Sequence, residues 1–592
     1  MINRFLKPQY LVLILILGIG FYCRASLLDF GLPYFLYEDE PIYFTKMMAF
    51  GYGDWDPDYF KKPTFFLYAH FVVAYLYYWL GQFSNWQAFE HYFWLNPTIL
   101  ALLGRSCTLV FSIGSIYWLY RLGKKVISPS VGLIAAFLLA IHTTPVKYTP
   151  IVIADIPAVF FILLTAWFSL KIYDKGRWKD YVATALCIAL TMSFKYNFFV
   201  VTFLITAHAL RYGQNTAQPI IQRIQYALQD RKFWSALAVA GGCFVALSPY
   251  VLINFSRFYE HFAFEKDHVL QRTMQTERSF KPFVSLGGLL FKIIPRDLSW
   301  PIYAMSLLGL TGLASSPLWP QRVAVLREKL SYPHLLILFS FPMVFLMVIS
   351  QFRLVTAKYS LPITPFWMLA AASVLVALVT LITHKLKQSN KKPVICSLLM
   401  LLLTLGSSYW LWKDTAEYVS VWQKPTTLIL AQDHLKTLLK PGERLMLEKY
   451  TFPAQNIPVI AHQLSGRHVF QLGDPETTAD YVKRIAPDYV LMNPTPIKDP
   501  DGNKMLYHQS DYYDYLRQHF EIVDIITPYG LVLHSDSFPR AFDGEISAQS
   551  IREQDYLDIY LTLDKNRKKT REGSVLFLLK ALKFYDMCSD AE

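Results

Sequence analysis

Long apolar runs separated by short basic stretches dominate the first 412 residues of the chain. A helix that crosses a membrane needs about 20 mostly apolar residues. The runs that approach this length cover residues 10–28, 64–80, 99–120, 131–145, 154–172, 181–194, 198–210, 234–253, 300–314, 332–350, 361–383 and 394–412. A shorter run, 283–294, is a weaker candidate. This pattern predicts a polytopic α-helical membrane protein.

Lysines and arginines between the runs predict on which side of the membrane each loop lies, because basic loops stay in the cytoplasm. An even number of crossings must therefore join successive basic clusters. Three apolar runs separate the first cluster, Arg4 and Lys7, from the second, at Arg121. One of the three should not span. We predict that it is 64–80, because its Tyr, Phe and His content is typical of an interfacial segment.

The resulting topology has about eleven spans, with the N-terminus inside and everything after Trp412 outside. Residues 29–98 then form one large extracytoplasmic loop. Several unusual polar residues converge on that outer face: 38–40, Lys61 and Lys62, 147–155, Lys195, 254–282 and 351–358. Their convergence on one side is evidence for a functional site.

The character of the chain changes after Trp412. Short strand-like segments alternate there with helical stretches, and Pro, Gly and Asp turn signals separate them. The strands are expected at 444–447, 459–462, 468–472, 489–492 and 522–526, and the helices at 478–485 and 512–519. This alternation predicts an extracytoplasmic α/β domain over residues 414–540. It follows a transmembrane domain of residues 1–413 and precedes a charged tail, 541–592.

Composition supports a membrane protein and narrows its partners. Of the 592 residues, 54% are hydrophobic and only 17% are charged, below the quarter that is usual for soluble proteins. The net charge of +13 comes from basic residues between apolar runs, where membrane orientation explains them, so no nucleic-acid partner is expected. The six cysteines form no CxxC pair, and no glycine-rich phosphate loop indicates a nucleotide cofactor.

Two groups of carboxylates are candidates for chemistry. Asp39 and Glu40 follow the first apolar run, where a solvated acidic loop is the plain alternative. Asp155 opens a later run, where a helix N-cap is the alternative. The two readings of Asp155 are compatible, since a capping carboxylate keeps a free oxygen.

Cations and histidines supply further candidates. Lys195, Arg353 and Lys358 lie beside apolar runs, where they either snorkel to the interface or bind a lipid phosphate. His261, Glu265 and His268 are spaced i, i+4 and i+7, which is one face of a helix. That face is either an ordinary polar surface or a divalent-metal site.

Seven motifs occur in a particular order along the chain. They are Asp39-Glu40 after the first run, Gly53-Asp54-Trp55, Lys62-Pro63, Arg105 at the start of an apolar run, Asp155, Lys195, and Lys358-Tyr359-Ser360-Leu361-Pro362-Ile363. This order resembles the membrane-embedded glycosyltransferases that use polyprenyl-phosphate sugars, the superfamily of protein O-mannosyltransferases and lipid A aminoarabinose transferases with the GT-C fold. The resemblance covers roughly residues 5–370 and the layout of an extracytoplasmic C-terminal domain.

The resemblance implies an outward-facing cavity at the membrane surface. Asp39 would act as general base on an acceptor hydroxyl, and Asp155 would orient donor or acceptor. The residues that would bind the substrate are Lys62, Lys195 and Lys358 at the donor phosphate, with Glu40, Arg353 and Tyr359. The implied partners are a polyprenyl-phosphate sugar, an acceptor that is a lipid, a glycan or a protein, and the bilayer of a bacterial inner membrane. Inverting transfer is expected, with no required cofactor.

The chain departs from the aminoarabinose transferases at two points. Those proteins carry an Arg shortly after the Asp-Glu pair, where Pro41-Ile42 stand here, and they read Glu-Lys-Pro-Pro in place of Lys61-Lys62-Pro63-Thr64. Neither their acceptor nor a metal can therefore be carried over. Two rival classes stay open. One is a lipid or sugar transporter, in which intramembrane charges mark a path, although no two-half symmetry is visible. The other is a non-catalytic membrane scaffold.

Overall fold

The computed structural model describes residues 8–37, 39–214, 218–271, 283, 285–315, 331–352, 355–384, 392–448, 456–471, 479–493, 497–498, 504–505, 510–526, 532–534 and 576–581. The chain forms two compact units. Unit 1 contains residues 1–28, 42–82 and 100–418, and unit 2 contains residues 29–41, 83–99 and 419–592.

The described helices follow the apolar runs closely. In chain order they are α1 (Pro8–Ala25), α2 (Asp39–Ala49), α3 (Thr64–Leu80), α4 (Trp86–Leu95), α5 (Thr98–Val126), α6 (Pro129–Ala140), α7 (Thr143–Tyr148), α8 (Asp155–Lys175), α9 (Trp178–Phe194), α10 (Thr202–Gly213), α11 (Ile220–Gln229), α12 (Arg231–Leu247), α13 (Tyr250–Ile253), α14 (Phe255–Gln271), α15 (Leu286–Gly288), α16 (Ile294–Leu298), α17 (Trp300–Ser315), α18 (Tyr332–Ile349), α19 (Ala357–Ser360), α20 (Thr364–His384), α21 (Lys392–Trp422), α22 (Thr427–Leu438), α23 (Ile457–Gln463), α24 (Ala479–Ile485) and α25 (Ser510–His519). Short 3-10 turns cover Phe50–Tyr52 and Phe198–Val201, and a π-helical turn covers Leu289–Ile293.

Within the described residues, six helices are long and apolar enough to cross a membrane. They lie at Pro8–Ala25, Thr98–Val126, Asp155–Lys175, Tyr332–Ile349, Thr364–Thr383 and Pro393–Leu438. Thr64–Leu80, Pro129–Ala140 and Phe198–Gly213 are shorter apolar helices. The predicted class, a polytopic α-helical membrane protein, is confirmed. The predicted total of about eleven spans and the interfacial place of Thr64–Leu80 stay predictions.

Unit 1 is a bundle in which sequence neighbours pack together. The helices α8 and α9 form an antiparallel hairpin around Gly176, which has a positive φ of 57°. The helices α17 and α20 approach each other so closely that a Cβ on Gly309 would collide with the backbone of Ala370. Small residues permit such approach in membrane helices, where close packing replaces the hydrophobic drive.

Unit 2 contains a six-stranded sheet. Its strands are β1 (Arg444–Leu447), β2 (His468–Gln471), β3 (Tyr489–Met492), β6 (Phe520–Ile526), β7 (Val532–His534) and β8 (Leu576–Ala581), and β4 (Ile497–Lys498) pairs with β5 (Lys504–Met505) separately. The order in the sheet is β2-β1-β3-β8-β6-β7. The pairs of β1 with β2 and β3 are parallel, and β8 is antiparallel to β3 and β6. This is the α/β arrangement expected from the alternating pattern.

Two segments of unit 2 differ from the sequence-based expectation. Residues 459–462 were expected as a strand, which is wrong, because they belong to α23, where Pro458 occupies the first turn. A four-residue apolar run fits a strand or a buried helix equally, and proline in a first turn favours the helix. Leu576–Ala581, which falls within the expected charged tail, forms β8 in the interior of the sheet.

Candidate active site

Asp155 lies at the centre of a charged cluster in unit 1. The helix α8 begins at this residue, and its carboxylate is 2% exposed. Asp155 Oδ1 accepts a hydrogen bond from the Lys195 ammonium, and Lys358 Nζ lies 3.9 Å from Asp155 Oδ2. No side chain caps this helix start, so the capping reading is not observed. Asp155 instead pairs with two cations, as a buried charge must.

The fold explains why these residues meet. Because α8 and α9 are antiparallel, the residue after the end of α9 returns to the start of α8, and that residue is Lys195. Lys195 has an extended backbone that directs it away from the helix axis. Lys358 is presented by the one-turn helix α19. The ammonium groups therefore pair with a carboxylate, and the predicted alternative of simple snorkelling does not describe them.

Lys62 is the third cation of the cluster. Its charge acts on both Asp155 and Lys195. Lys195 and Lys358 thus contact the Asp155 carboxylate, and Lys62 adds a third positive charge that acts on it. A group of lysines of this kind is suited to binding an anion such as a phosphate.

The loop that carries Lys62 docks on one face of α14 and the residue before it. The contacts are Asn254 Nδ2 to Asp56 Oδ2 at 2.8 Å, Arg257 Nε to Asp58 Oδ1 at 2.7 Å, Phe60 N to His261 Nδ1 at 3.1 Å, and Lys61 Nζ over the Phe264 ring at 4.4 Å. The four partners, at positions 254, 257, 261 and 264, are three or four residues apart and therefore lie on one face. Lys62 directly follows Lys61, the last of the docked residues, so the docking restrains its position.

His261 therefore has a role that its spacing alone did not reveal. Its Nδ1 accepts the Phe60 N–H, so the ring is bound as a neutral imidazole with its proton on Nε2. Burial lowers the pKa of His261 below its usual range, which favours the same state. Among the described residues, no group of three His, Cys, Asp or Glu side chains could hold a metal. The His268 side chain lies outside them, so the metal set with Glu265 stays a prediction.

Two tyrosines flank the lysines. Lys195 Nζ lies 5.9 Å from the centre of the Tyr359 ring, and Lys358 Nζ lies 5.8 Å from that of Tyr148. Aromatic faces attract cations at such distances. Tyr359 was expected at the site, whereas Tyr148 was missed, although its position seven residues before Asp155 is a signal that could have indicated it.

A second buried carboxylate, Asp297, was also missed. It lies in α16, and its side chain is 4% exposed. His142 Nε2 lies 3.2 Å from Asp297 Oδ1, and the Thr144 hydroxyl donates to the same oxygen. The Ser360 hydroxyl, at the end of α19, lies 3.4 Å from Asp297 Oδ2. Asp297 thus contacts the start of the helix that carries Tyr148 and the end of the helix that carries Lys358.

Asp39, Glu40 and Arg353 were also expected at the site. Asp39 and Glu40 form the first turn of α2 and belong to unit 2 by compactness. Glu40 is fully buried and Asp39 is half-buried. Carboxylates in a first turn are favourable, because the helix dipole is positive there. Arg353 lies outside the described residues.

Comparison with known proteins gives both a sequence match and a fold. A family model described as dolichyl-phosphate-mannose-protein mannosyltransferase matches residues 93–229. No curated protein sequence matches the chain. The apo crystal structure of the oligosaccharyltransferase from Archaeoglobus fulgidus superposes with a TM-score of 0.51 at 11% identity, covering 97% of this chain and 89% of that chain.

Two further structures carry lipid phosphates. The archaeal oligosaccharyltransferase AglB from Archaeoglobus fulgidus, in complex with an inhibitory peptide and a dolichol-phosphate, gives a TM-score of 0.50 at 11% identity, covering 97% of this chain and 88% of that chain. ArnT from Cupriavidus metallidurans bound to undecaprenyl phosphate gives 0.46 at 13% identity, covering 82% of this chain and 92% of that chain. The resemblance seen in the sequence motifs is confirmed at the level of fold: this chain has the GT-C fold of membrane-embedded glycosyltransferases.

Proposed function

We propose that the protein is a membrane glycosyltransferase that moves a sugar from a polyprenyl-phosphate donor to an acceptor on the extracytoplasmic face. The observation that carries the proposal is the grouping of lysines at Asp155, which Lys195 and Lys358 contact and on which the charge of Lys62 acts. A lipid-linked phosphate is an anion of the right kind for this cluster, and cations hold it by charge-assisted hydrogen bonds. The GT-C fold and the match to a mannosyltransferase family model support the same reading.

The reaction follows from these groups and Asp39. The Asp39 carboxylate takes the proton of an acceptor hydroxyl while that oxygen attacks the anomeric carbon of the donor sugar. The bond from the anomeric carbon to the phosphate oxygen breaks, and its electron pair leaves with the polyprenyl phosphate. Negative charge grows on the phosphate, and the lysines stabilise it there. A single displacement inverts the anomeric centre. No step requires a metal.

The acceptor is a lipid, a glycan or a protein. The archaeal oligosaccharyltransferase was solved with an inhibitory peptide and a dolichol-phosphate, which are properties of that protein. For this chain we propose a hydroxyl acceptor and a polyprenyl-phosphate donor in a bacterial inner membrane.

Transfer from a polyprenyl-phosphate sugar by the full-length protein tests the proposal. Asp39→Asn should lower transfer by about a thousandfold or more while the protein inserts and melts as the wild type does. Fully active Asp39→Asn protein would remove the general-base role. Added EDTA should leave transfer unchanged, and its loss on chelation would instead support the metal set.

The proposal also requires Asp39 and Asp155 to be accessible from the extracytoplasmic side. Single cysteines at Asp54, which is exposed between Asp39 and α3, and at Lys147, which is half-buried before Asp155, should react with an impermeant reagent added outside in a background without other cysteines. Labelling from opposite faces of the membrane would contradict the topology.

A further inference from the structure

The segment that leads to Asp39 belongs to the α/β unit and is built into its core. This segment, Asp29–Pro41, precedes most of unit 1 in sequence, yet it belongs to the same compact unit as Val419–Glu592. Tyr34 is fully buried among residues of α22 and the sheet, including Leu428 and Leu578. Leu36 packs against the same core. The sheet unit is therefore incomplete without a segment from the other end of the chain.

Directed polar contacts fix the same segment. Asn456, which is fully buried at the start of α23, uses both ends of its amide on one residue: Phe35 N donates to Asn456 Oδ1 at 2.9 Å, and Asn456 Nδ2 donates to Phe35 O at 3.1 Å. The Tyr34 hydroxyl donates to Gln432 Oε1, and the Phe30 and Trp422 rings stack 3.5 Å apart. A reciprocal amide pair sets the position and direction of a backbone, because shifting it by one residue breaks both bonds.

Asp39 lies four residues after Phe35 and three after Leu36. A residue spans at most about 3.5 Å of extended chain, so Asp39 must lie within about 14 Å of the anchored Phe35. We propose that the α/β unit is a positioning element for Asp39, and that Asn456 is the residue through which it acts. This inference rests on the proposed role of Asp39 as general base. It gives the unit a mechanical part in the transfer reaction that is separate from any binding of acceptor.

The Asn456→Ala variant of the full-length protein tests the inference, with His434→Ala as the matched control. His434 belongs to the same unit, where its Nε2 lies 2.7 Å from Asp524 Oδ2 on β6. We expect Asn456→Ala to lower kcat about tenfold or more, since misplacement of a catalytic group by about 1 Å costs as much as a hundredfold. The KM for the donor should stay within about twofold, because the three lysines belong to unit 1.

Hydrogen exchange gives a readout that does not depend on catalysis. Amides of residues 34–41 should exchange faster in Asn456→Ala, while those of β1 and β3 keep their protection. Equal losses of kcat in Asn456→Ala and His434→Ala, or loss of protection across the whole sheet, would show that Asn456 only stabilises the unit and would overturn the inference.

A double variant separates this inference from the proposed function. If Asn456 acts through Asp39, Asn456→Ala should not lower further the residual activity of Asp39→Asn. Independent, multiplying losses would overturn the positioning role. If Asp39→Asn retains full activity, the general-base proposal fails. Faster exchange at residues 34–41 in Asn456→Ala would still show that Asn456 holds this segment in place.

Discussion

Two buried carboxylates, one in each unit, are held in opposite ways. Asp155 in unit 1 is 2% exposed and pairs with ammonium groups. Glu448, which directly follows β1 in unit 2, is 1% exposed and receives neutral donors. Its Oε2 accepts the Asn493 N–H at 2.7 Å, and the Tyr513 hydroxyl lies 3.4 Å from Oε1.

The difference shows what surroundings do to the same functional group. Burial raises the pKa of Glu448 to about 8, and its neutral partners only partly oppose that effect. Glu448 is therefore mostly protonated at pH 7 and fits a neutral, structural network. The cations around Asp155 instead compensate a buried negative charge. Burial alone does not determine whether a carboxylate is ionised; the charges of its partners also decide it.

The strongest test of this contrast is Asp155→Asn. Removing the carboxylate takes away the negative charge that both Lys195 and Lys358 contact. Breaking a buried ion pair costs about 3–5 kcal/mol, and we expect the lower end because the Lys195 side chain is 23% exposed. Thermal unfolding in detergent should show the loss, together with loss of transfer. The double variant Asp155→Asn/Lys195→Met should recover part of the stability. If Asp155→Asn unfolds at the wild-type temperature, Asp155 is protonated in the folded protein, as Glu448 is.

A smaller effect is expected from Lys358→Met, which removes a cation while keeping most of the side-chain volume. If Lys358 stabilises charge on the leaving phosphate, kcat should fall about a hundredfold. Lys147→Met is the control, because Lys147 Nζ lies 5.8 Å from the same Tyr148 ring as Lys358 Nζ. Steady-state kinetics should give a loss of less than about fivefold for the control. Equal losses of kcat in Lys358→Met and Lys147→Met would show that transfer depends on positive charge in general and not on the lysines that contact Asp155.

Variants that weaken the docking of the Lys62 loop are expected to have a smaller effect on transfer than Lys358→Met. His261→Leu removes one hydrogen bond to the Phe60 N–H, worth about 1 kcal/mol, so the donor KM should rise about fivefold. Arg257→Ala breaks an exposed ion pair with Asp58 and should change the KM by less than about twofold.

The same histidine gives this docking a pH dependence. The pKa of His261 is lowered in the folded protein, so its contact is fully present above the unfolded value of about 6.5 and is lost as pH falls through the folded value. The wild-type donor KM should therefore rise on acidification, and the KM of His261→Leu should not. A parallel rise in both would assign the pH effect to another group.

The smallest effect at neutral pH is expected from Glu448→Gln, which imitates the protonated side chain. Between pH of about 4.5 and 8, folded Glu448 holds a proton that the unfolded chain releases. The stability of the sheet should therefore fall by about 1.4 kcal/mol for each pH unit in that window and level off above it. Hydrogen exchange of β1 and β3 in the full-length protein, corrected for the intrinsic rate, measures this slope.

Glu448→Gln should abolish that slope, whereas Glu521→Gln, an exposed position on β6, should keep it. A slope that persists in Glu448→Gln would show that Glu448 is ionised, and the contrast with Asp155 would fail.

Much of this architecture could be predicted from local patterns. Apolar runs of helical length gave the membrane helices, because burial in lipid demands continuous apolar sequence. The strands β1, β2 and β3 were expected nearly at their observed bounds, since short apolar runs between turn signals are typical of buried strands. The meeting of Asp155, Lys195 and Lys358 was also expected, because their motifs resemble a family in which such residues share a cavity.

Other features depend on contacts between distant parts of the chain. The pairing of Phe35 with Asn456 spans 421 residues, and no periodicity signals it. The spacing of His261, Glu265 and His268 correctly indicated a helix face, but the partner of His261 is a backbone N–H, which has no sequence signature. Asp297 was overlooked because it follows a weak apolar run, whereas its burial arises from the packing of α7 and α19 around it.

The place of β8 in the sheet has a consequence for synthesis of the protein. The strands β3 and β6 do not pair with each other; each is bonded to Leu576–Ala581 between them. A chain that stops before Leu576 would therefore present two separate ribbons with open edges, which invite pairing with other chains. The sheet can close only after Leu576–Ala581 has been translated, so nonsense mutations far downstream of every proposed catalytic group should still produce aggregation-prone protein.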